Sequence, residues 1–224
     1  MEVTSDILSE LEGHPNRDSV IGHPFLRYMR TAALTRKEVA LILGQYWHPI
    51  HYFTEFLPRT IAVVRDLATR VLVTRILWQE LGEGDPARAH ETLYLETTRR
   101  VGFDVDEVRS APALPAAIRL VEGYRYSTRD AFSAVGALYG TEVIDLAMVA
   151  SVGAAIRNTT GIATLPWVDI HLKQEPNHVA SVRGVVTLPA TPEDRKRIMR
   201  EAQQIWGLWS DFYQTIESTI EGSR

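Results

Sequence analysis

The stretch from Asp169 to His178 carries His171, Glu175 and His178 at relative positions i, i+4 and i+7. On an α-helix these fall on one face, within about 60° of one another. Two imidazoles and a carboxylate on one stripe are poor core material, because each must find a partner or lose its hydration uncompensated. They are good ligands for a first-row transition metal such as iron, zinc or manganese. Taken alone, the H-x3-E-x2-H spacing also fits a solvated polar face, or two histidines satisfied by hydrogen bonds. The rest of the chain has to decide.

Composition narrows the chemistry. There is no cysteine among the 224 residues, which excludes disulfides, zinc–thiolate sites, iron–sulfur clusters and a cysteine nucleophile. The formal net charge is -4, with both signs spread along the chain and no basic stripe, so neither nucleic acid nor a membrane surface is the expected partner. Hydrophobic residues make up 45% and charged residues 23%, as in a single globular domain. The N-terminus is acidic with no apolar run behind it, so the expectation is a cytoplasmic protein. The most apolar stretch, Ala131–Ile156, is interrupted by Glu142 and Asp145 and makes a poor membrane span.

The elements that must position the histidines read as helices. Residues 1–34 hold a short helical stretch at Ile7, Leu8 and Leu11 and then His14-Pro15 and His23-Pro24, and read as an irregular lead-in. Thr35 and Glu38 form a capping box for a long helix to about Val64, which Pro49 and Pro58 are expected to kink. His51 and Glu55 lie on it. A helix from Asp66 to Leu81 carries Glu80 and stops at Gly82 and Gly84; Asp85-Pro86 restarts a helix that carries His90. On an unbroken helix Glu80 and His90 would sit about 80° apart, and the break lets both point at one place. A helix from about Thr128 to Arg157 is rich in small residues and holds Glu142 in mid-span. Pro166 opens the helix of the first trio, and Pro176 should loosen it between Glu175 and His178. Thr191-Pro192 opens a last helix to about Ile220. Only Val185 to Leu188 has any strand character. The expected fold is an all-α, single-domain bundle of about six or seven helices.

Five helical segments thus offer ligand chemistry: Glu55; Glu80; His90; Glu142; and His171, Glu175 and His178. Most fall on the apolar sides of their helices, where isolated carboxylates would be costly and a shared cation would compensate them. Three histidines and four carboxylates are about what two octahedral irons need when one carboxylate bridges. A ferritin-like bundle would show Glu-x-x-His on two helices, and this spacing occurs once among these sites, at Glu175–His178.

In four places the chain resembles the haem-oxygenase-like diiron oxidases, relatives of the thiaminase-II and haem oxygenase folds. These are Gln45-Tyr46-Trp47 through Glu55, Glu80 through His90, Ala137 through Glu142, and His171-x3-Glu175-x2-His178. The resemblance implies a haem-oxygenase-like fold and one iron held by His90, Glu142 and His171. A second iron would be held by Glu55, Glu80, Glu175 and His178, with Glu142 reaching both. It further implies two Fe(II) ions, dioxygen and a small amino-acid-like substrate in natural-product biosynthesis, with an external electron donor as a further expectation; exposed faces on the first and last helices could make a homodimer. Glu175 departs from the aspartate usual in that family.

Each residue also has a plainer reading. Glu55 could be a salt-bridge partner, Glu83 could replace Glu80, and Glu142 could pair with Arg125 or Arg129. His48, His51 and Tyr139 are candidates for lining a substrate pocket. Arg59, Lys173 and Arg183 are candidate partners for a substrate carboxylate. Trp47, Trp78 and Trp167 have core spacing. The alternatives are a metal-free helical binding module, a thiaminase-like or cofactorless enzyme, against which the missing thiol argues, and a haem oxygenase with His14 or His23 as proximal ligand.

Overall fold

The computed structural model describes residues 6–186 and 190–224, except for the side chain of Glu175. Among these residues there are eleven α-helices, one short 3-10 turn and no strand. The seven longer helices are α4 (Arg36–Val63), α5 (Leu67–Glu80), α6 (His90–Arg100), α8 (Pro115–Ser127), α9 (Ala131–Thr160), α10 (Pro166–Val186) and α11 (Pro192–Glu221). The helices beyond the expected six or seven are short. They are α1 (Ile7–Glu12), α2 (Pro15–Ile21), α3 (Pro24–Thr31) and α7 (Val105–Ser110).

Helix α1 coincides with the short helical stretch expected at Ile7, Leu8 and Leu11, whereas α2 and α3 correct the reading of the His-Pro segments as irregular. Each proline does keep its predecessor out of helix, but that makes the predecessor an N-cap. His14 accepts from the Asn16 amide and His23 from the Phe25 amide, with Pro15 and Pro24 in the first helical turn. Both histidines are therefore spent on capping, and His14 also meets the Gln203 side chain. A second correction concerns Asp85-Pro86, which opens only the 3-10 turn Pro86–Arg88; α6 starts at His90. Helix α4 runs through both Pro49 and Pro58. Val185 and Val186 end α10, and Thr187 and Leu188 lie outside the described residues.

Helix α9 is the axis of the bundle. It packs against α11, α10, α3, α4, α2 and α8. It is apolar enough to resemble a membrane span, yet 72% of its most apolar window is buried inside the protein. Its small residues permit the close contacts. A Cβ at Gly136 would come within 2.3 Å of the Ile198 carbonyl oxygen on α11. One turn on, Trp206 of α11 donates from Nε1 to the Gly140 carbonyl. The pair is locked by Arg129, which forms two hydrogen bonds with the buried carboxylate of Glu201.

Two tests follow from this packing. Gly136→Ala should cost about 1–3 kcal/mol, since backbone rather than a movable side chain fills the space, as read by urea unfolding. The second concerns Glu38, whose carboxylate bonds the Thr35 amide and hydroxyl and meets the Arg224 guanidinium. Arg224 first, then Thr35, against the opposing effect of burial, lower its pKa to about 2. A carboxyl with a depressed folded pKa stabilises most above its unfolded value. The stability gap between the natural protein and Glu38→Gln should therefore be full at neutral pH and close as pH falls from the ordinary carboxylate range towards 2.

Candidate metal centre

The bundle core holds a group of carboxylates and imidazoles between α5, α6, α9 and α10. Glu80 ends α5. The chain then reverses through Gly82, Glu83 and Gly84, all with positive φ (78°, 58° and 93°). At Gly82 a Cβ would lie 2.2 Å from the Asp85 carbonyl oxygen, so only glycine fits this turn. The reversal returns the chain so that His90, the first residue of α6, faces Glu80: His90 Nδ1 lies 2.9 Å from Glu80 Oε2. Glu142 comes from mid-α9. Helix α10 continues through Pro176 and supplies His171 and His178.

Five of the seven expected ligands are thereby brought together, all buried. Donor atoms of Glu80, His90 and His171 lie within 4.8 Å of one another, as a shared cation requires. His178 Nδ1 is 3.3 Å from Glu142 Oε2 and 3.8 Å from Glu80 Oε1. Glu175 shares the helix, but its side chain lies outside the described residues.

The supporting hydrogen bonds suit metal ligation. His171 Nδ1 is 2.7 Å from the Trp167 carbonyl and donates to it, which turns the Nε2 lone pair inward. His90 Nε2 is 2.8 Å from Gln174 Oε1 and donates to it, leaving Nδ1 facing Glu80. A partner for the far nitrogen is the usual way a protein fixes the tautomer of a ligating histidine. Despite their closeness, His90 Nδ1 and Glu80 do not form an aligned hydrogen bond, and Glu142 Oε1 has no hydrogen-bond partner among the described residues. Buried polar atoms orphaned in this way cost stability unless something else satisfies them. Carboxylate oxygens and imidazole nitrogens converging on one space fit a first-row transition metal such as iron.

The electrostatics show how the site balances itself with protons alone. Burial raises Glu142. Burial also pushes Glu80 upward, but His90 and His178 outweigh it and hold Glu80 at about 2. His178 rises to about 9 because Glu142 and Glu80 override the effect of burial. His171 has no such close ion pair, and burial lowers it. A divalent cation would take over the compensating role of those protons.

The structure does not bring every expected residue here. Glu55 is exposed and pairs with Arg59, also exposed. The cause is helical register: the α4 face towards the site presents Pro49, Ile50 and Phe53, and Glu55 points elsewhere. His51 is exposed, stacks on Trp47 and meets Glu91 at 3.1 Å. His48 meets the Ala111 carbonyl. Tyr139 is buried on another side of α9, near Trp206, and does not line the cavity. Lys173 is exposed, and Arg183 pairs with Glu12 at 3.0 Å. Glu83 pairs with Arg88. Arg125 and Arg129 bond Glu122 and Glu201, so neither neutralises Glu142. Trp167 is buried against the site, whereas Trp78 is exposed.

Two residues in the site were not anticipated. Gln174 orients His90, and Asp145 lines the cavity with its Oδ2 4.0 Å from His171 Nε2. The cavity, of about 50 Å³, is otherwise walled by Ile50, Phe53, Met148, Trp167 and Trp209. Tyr124 and Thr141, on the same wall, are bonded to each other, with Trp209 donating to Tyr124 and Thr141 donating to the Ala137 carbonyl.

Fold and site together define a helical protein with a buried carboxylate–imidazole centre suited to a metal. The profile of the iron-containing redox enzymes matches residues 41–210, and the chain belongs to that family. Among curated proteins it is similar to the 4-chloro-allylglycine synthase of Streptantibioticus cattleyicolor, 26% identical over 171 residues. That match covers 74% of this chain and 65% of the relative's length. Among solved structures it resembles a CADD-like protein of unknown function from Nostoc punctiforme (TM-score 0.78, 14% identity, 97% of this chain and 94% of that one). It also resembles a domain with a haem oxygenase-like fold from Shewanella denitrificans (TM-score 0.73, 18% identity, 92% and 88%). A TenA homologue from Pseudomonas syringae pv. tomato has a TM-score of 0.74 at 13% identity, covering 95% and 91%. The fold is haem-oxygenase-like.

The role of Gln174 is open to a direct test. Gln174→Leu removes the acceptor that orients His90 and should weaken iron binding about 10–100-fold, the usual effect of losing such a partner, in a competition titration with a chelator. Far-ultraviolet circular dichroism should be unchanged.

Proposed function

We propose that this protein is a nonhaem diiron oxidase that uses dioxygen to oxidise a small amino acid or amino-acid derivative in natural-product biosynthesis. The observation that carries this reading is the convergence of Glu80, His90, Glu142, His171 and His178 on one buried space, where Glu142 Oε1 has no hydrogen-bond partner among the described residues. Membership of the iron-containing redox enzymes supports iron. The similarity to 4-chloro-allylglycine synthase supports an amino-acid-like substrate.

In this reading Glu80, His90, Glu142, His171 and His178 hold the irons, with Glu175 as a further ligand. Bound iron supplies the redox chemistry with dioxygen, and C–H or C–N oxidation is the favoured outcome. The chain's own contribution is positioning and exclusion of water. Ile50, Phe53, Met148, Trp167 and Trp209 keep the cavity wall apolar. Tyr124 and Thr141 are committed to a closed hydrogen-bond chain, so this wall presents no loose hydroxyl. Glu80 faces both His90 and His178, so it would hold metal together with these two histidines. No lysine or arginine lines the described cavity, so Arg59, Lys173 and Arg183 are set aside as partners for a substrate carboxylate.

The test is anaerobic loading with ferrous iron, followed by mixing with dioxygen in the presence and absence of candidate amino acids. About two irons per chain should bind, as a two-metal site requires, and a transient visible absorption should respond to the true substrate. His171→Ala and Glu142→Ala should abolish both. Iron binding no higher than that of these variants would sink the proposal and favour a metal-free binding module.

A further inference from the structure

We infer that Asp145 is a metal ligand of this centre and fills the place that sequence order suggests for Glu55. The inference rests on the metal-centre reading above and deepens it.

Asp145 lies three residues after Glu142 on α9, which puts both carboxylates on one helix face. Both line the same cavity. Asp145 Oδ2 is buried and has no hydrogen-bond partner among the described residues. It faces His171 Nε2 at 4.0 Å. His171 Nδ1 donates to the Trp167 carbonyl, so Nε2 is the ring nitrogen turned towards Asp145. A buried carboxylate oxygen without a hydrogen bond is costly, and a cation shared with His171 would satisfy it.

The spacing fits that cation. Two donors each held about 2.1 Å from one ion can lie no more than about 4.2 Å apart. The observed 4.0 Å satisfies this limit. Of the hydroxyls on the cavity wall, Tyr124 and Thr141 bond each other, and among the described residues no lysine or arginine lines the cavity to neutralise Asp145. Glu55 offers the opposite picture, an exposed carboxylate with Arg59 as its partner.

The experiment compares the natural protein with Asp145→Asn, Asp145→Glu and Glu55→Gln. Each is titrated anaerobically with Fe(II), and separately with Co(II) while the visible ligand-field spectrum is followed. Asp145→Asn should lose one ion per chain or bind it at least about 10-fold more weakly. Glu55→Gln should match the natural protein in stoichiometry and spectrum. Asp145→Glu should retain both ions with a shifted Co(II) spectrum, and it decides the matter if Asp145→Asn does not fold. Unchanged binding in Asp145→Asn would overturn the inference, and would instead suit an oxygen that receives a substrate ammonium group. An unshifted spectrum in Asp145→Glu, or loss of an ion in Glu55→Gln, would overturn it equally. A natural protein that binds no ion overturns this inference together with the proposed function, whereas the other failures leave the diiron reading standing.

Discussion

The constraint on which this molecule depends is the enclosure of anionic side chains in an apolar bundle. Moving a carboxylate out of water costs several kcal/mol even after relaxation, and Glu80 and Glu142 both bear that cost. The chain meets it with opposed imidazoles. His178 lies against both carboxylates and His90 against Glu80. Everything nearby serves that arrangement. The glycine turn after α5 brings His90 back onto Glu80, the small residues of α9 let α11 and α10 close around Glu142, and Trp167 fixes the ring of His171.

The offset is incomplete without a metal. Orphaned atoms remain on His90, Glu142 and Asp145. A protein selected only for stability would place apolar residues of similar volume here, since replacing buried ionic groups in this way is often neutral or stabilising. Retaining them is intelligible when the site is built for an occupant that satisfies them all, which agrees with membership of the iron-containing redox enzymes.

Much of this was legible in the sequence. Capping boxes at Thr35 and Thr191, the glycine stop after Glu80 and Pro166 at the start of α10 all mark true boundaries, because caps and breakers act locally. The histidines and Glu142 stood out because polar residues interrupt apolar stripes. Glu55 falls inside an apolar run, but at about 100° per residue it stands roughly opposite Tyr46 and Ile50, and lying within the run is not lying on its face. His51 and Arg59 were misplaced for the same reason. Asp145 was visible only as a charge within an apolar span. Its pairing with His171 depends on how α9 and α10 cross, which no local pattern encodes. Gln174 is similarly a tertiary partner, meaningful only once α6 lies beside α10.

The spread of the donors along the chain has a consequence for assembly. Glu80 and His178 belong to elements separated by nearly half the sequence, with α6 to α9 folded between them. An ion held by both closes a very long loop, so in the unfolded chain the entropy of closure opposes its capture. The donor set is complete only after α5, α9 and α10 have docked. Metal acquisition is therefore expected to be a late step that bolts an already formed bundle, in contrast to small zinc modules whose folding waits on the ion. The same bolt would tie the turn at Gly82 to the far end of the polypeptide, so the iron content of a preparation and its resistance to unfolding should rise and fall together.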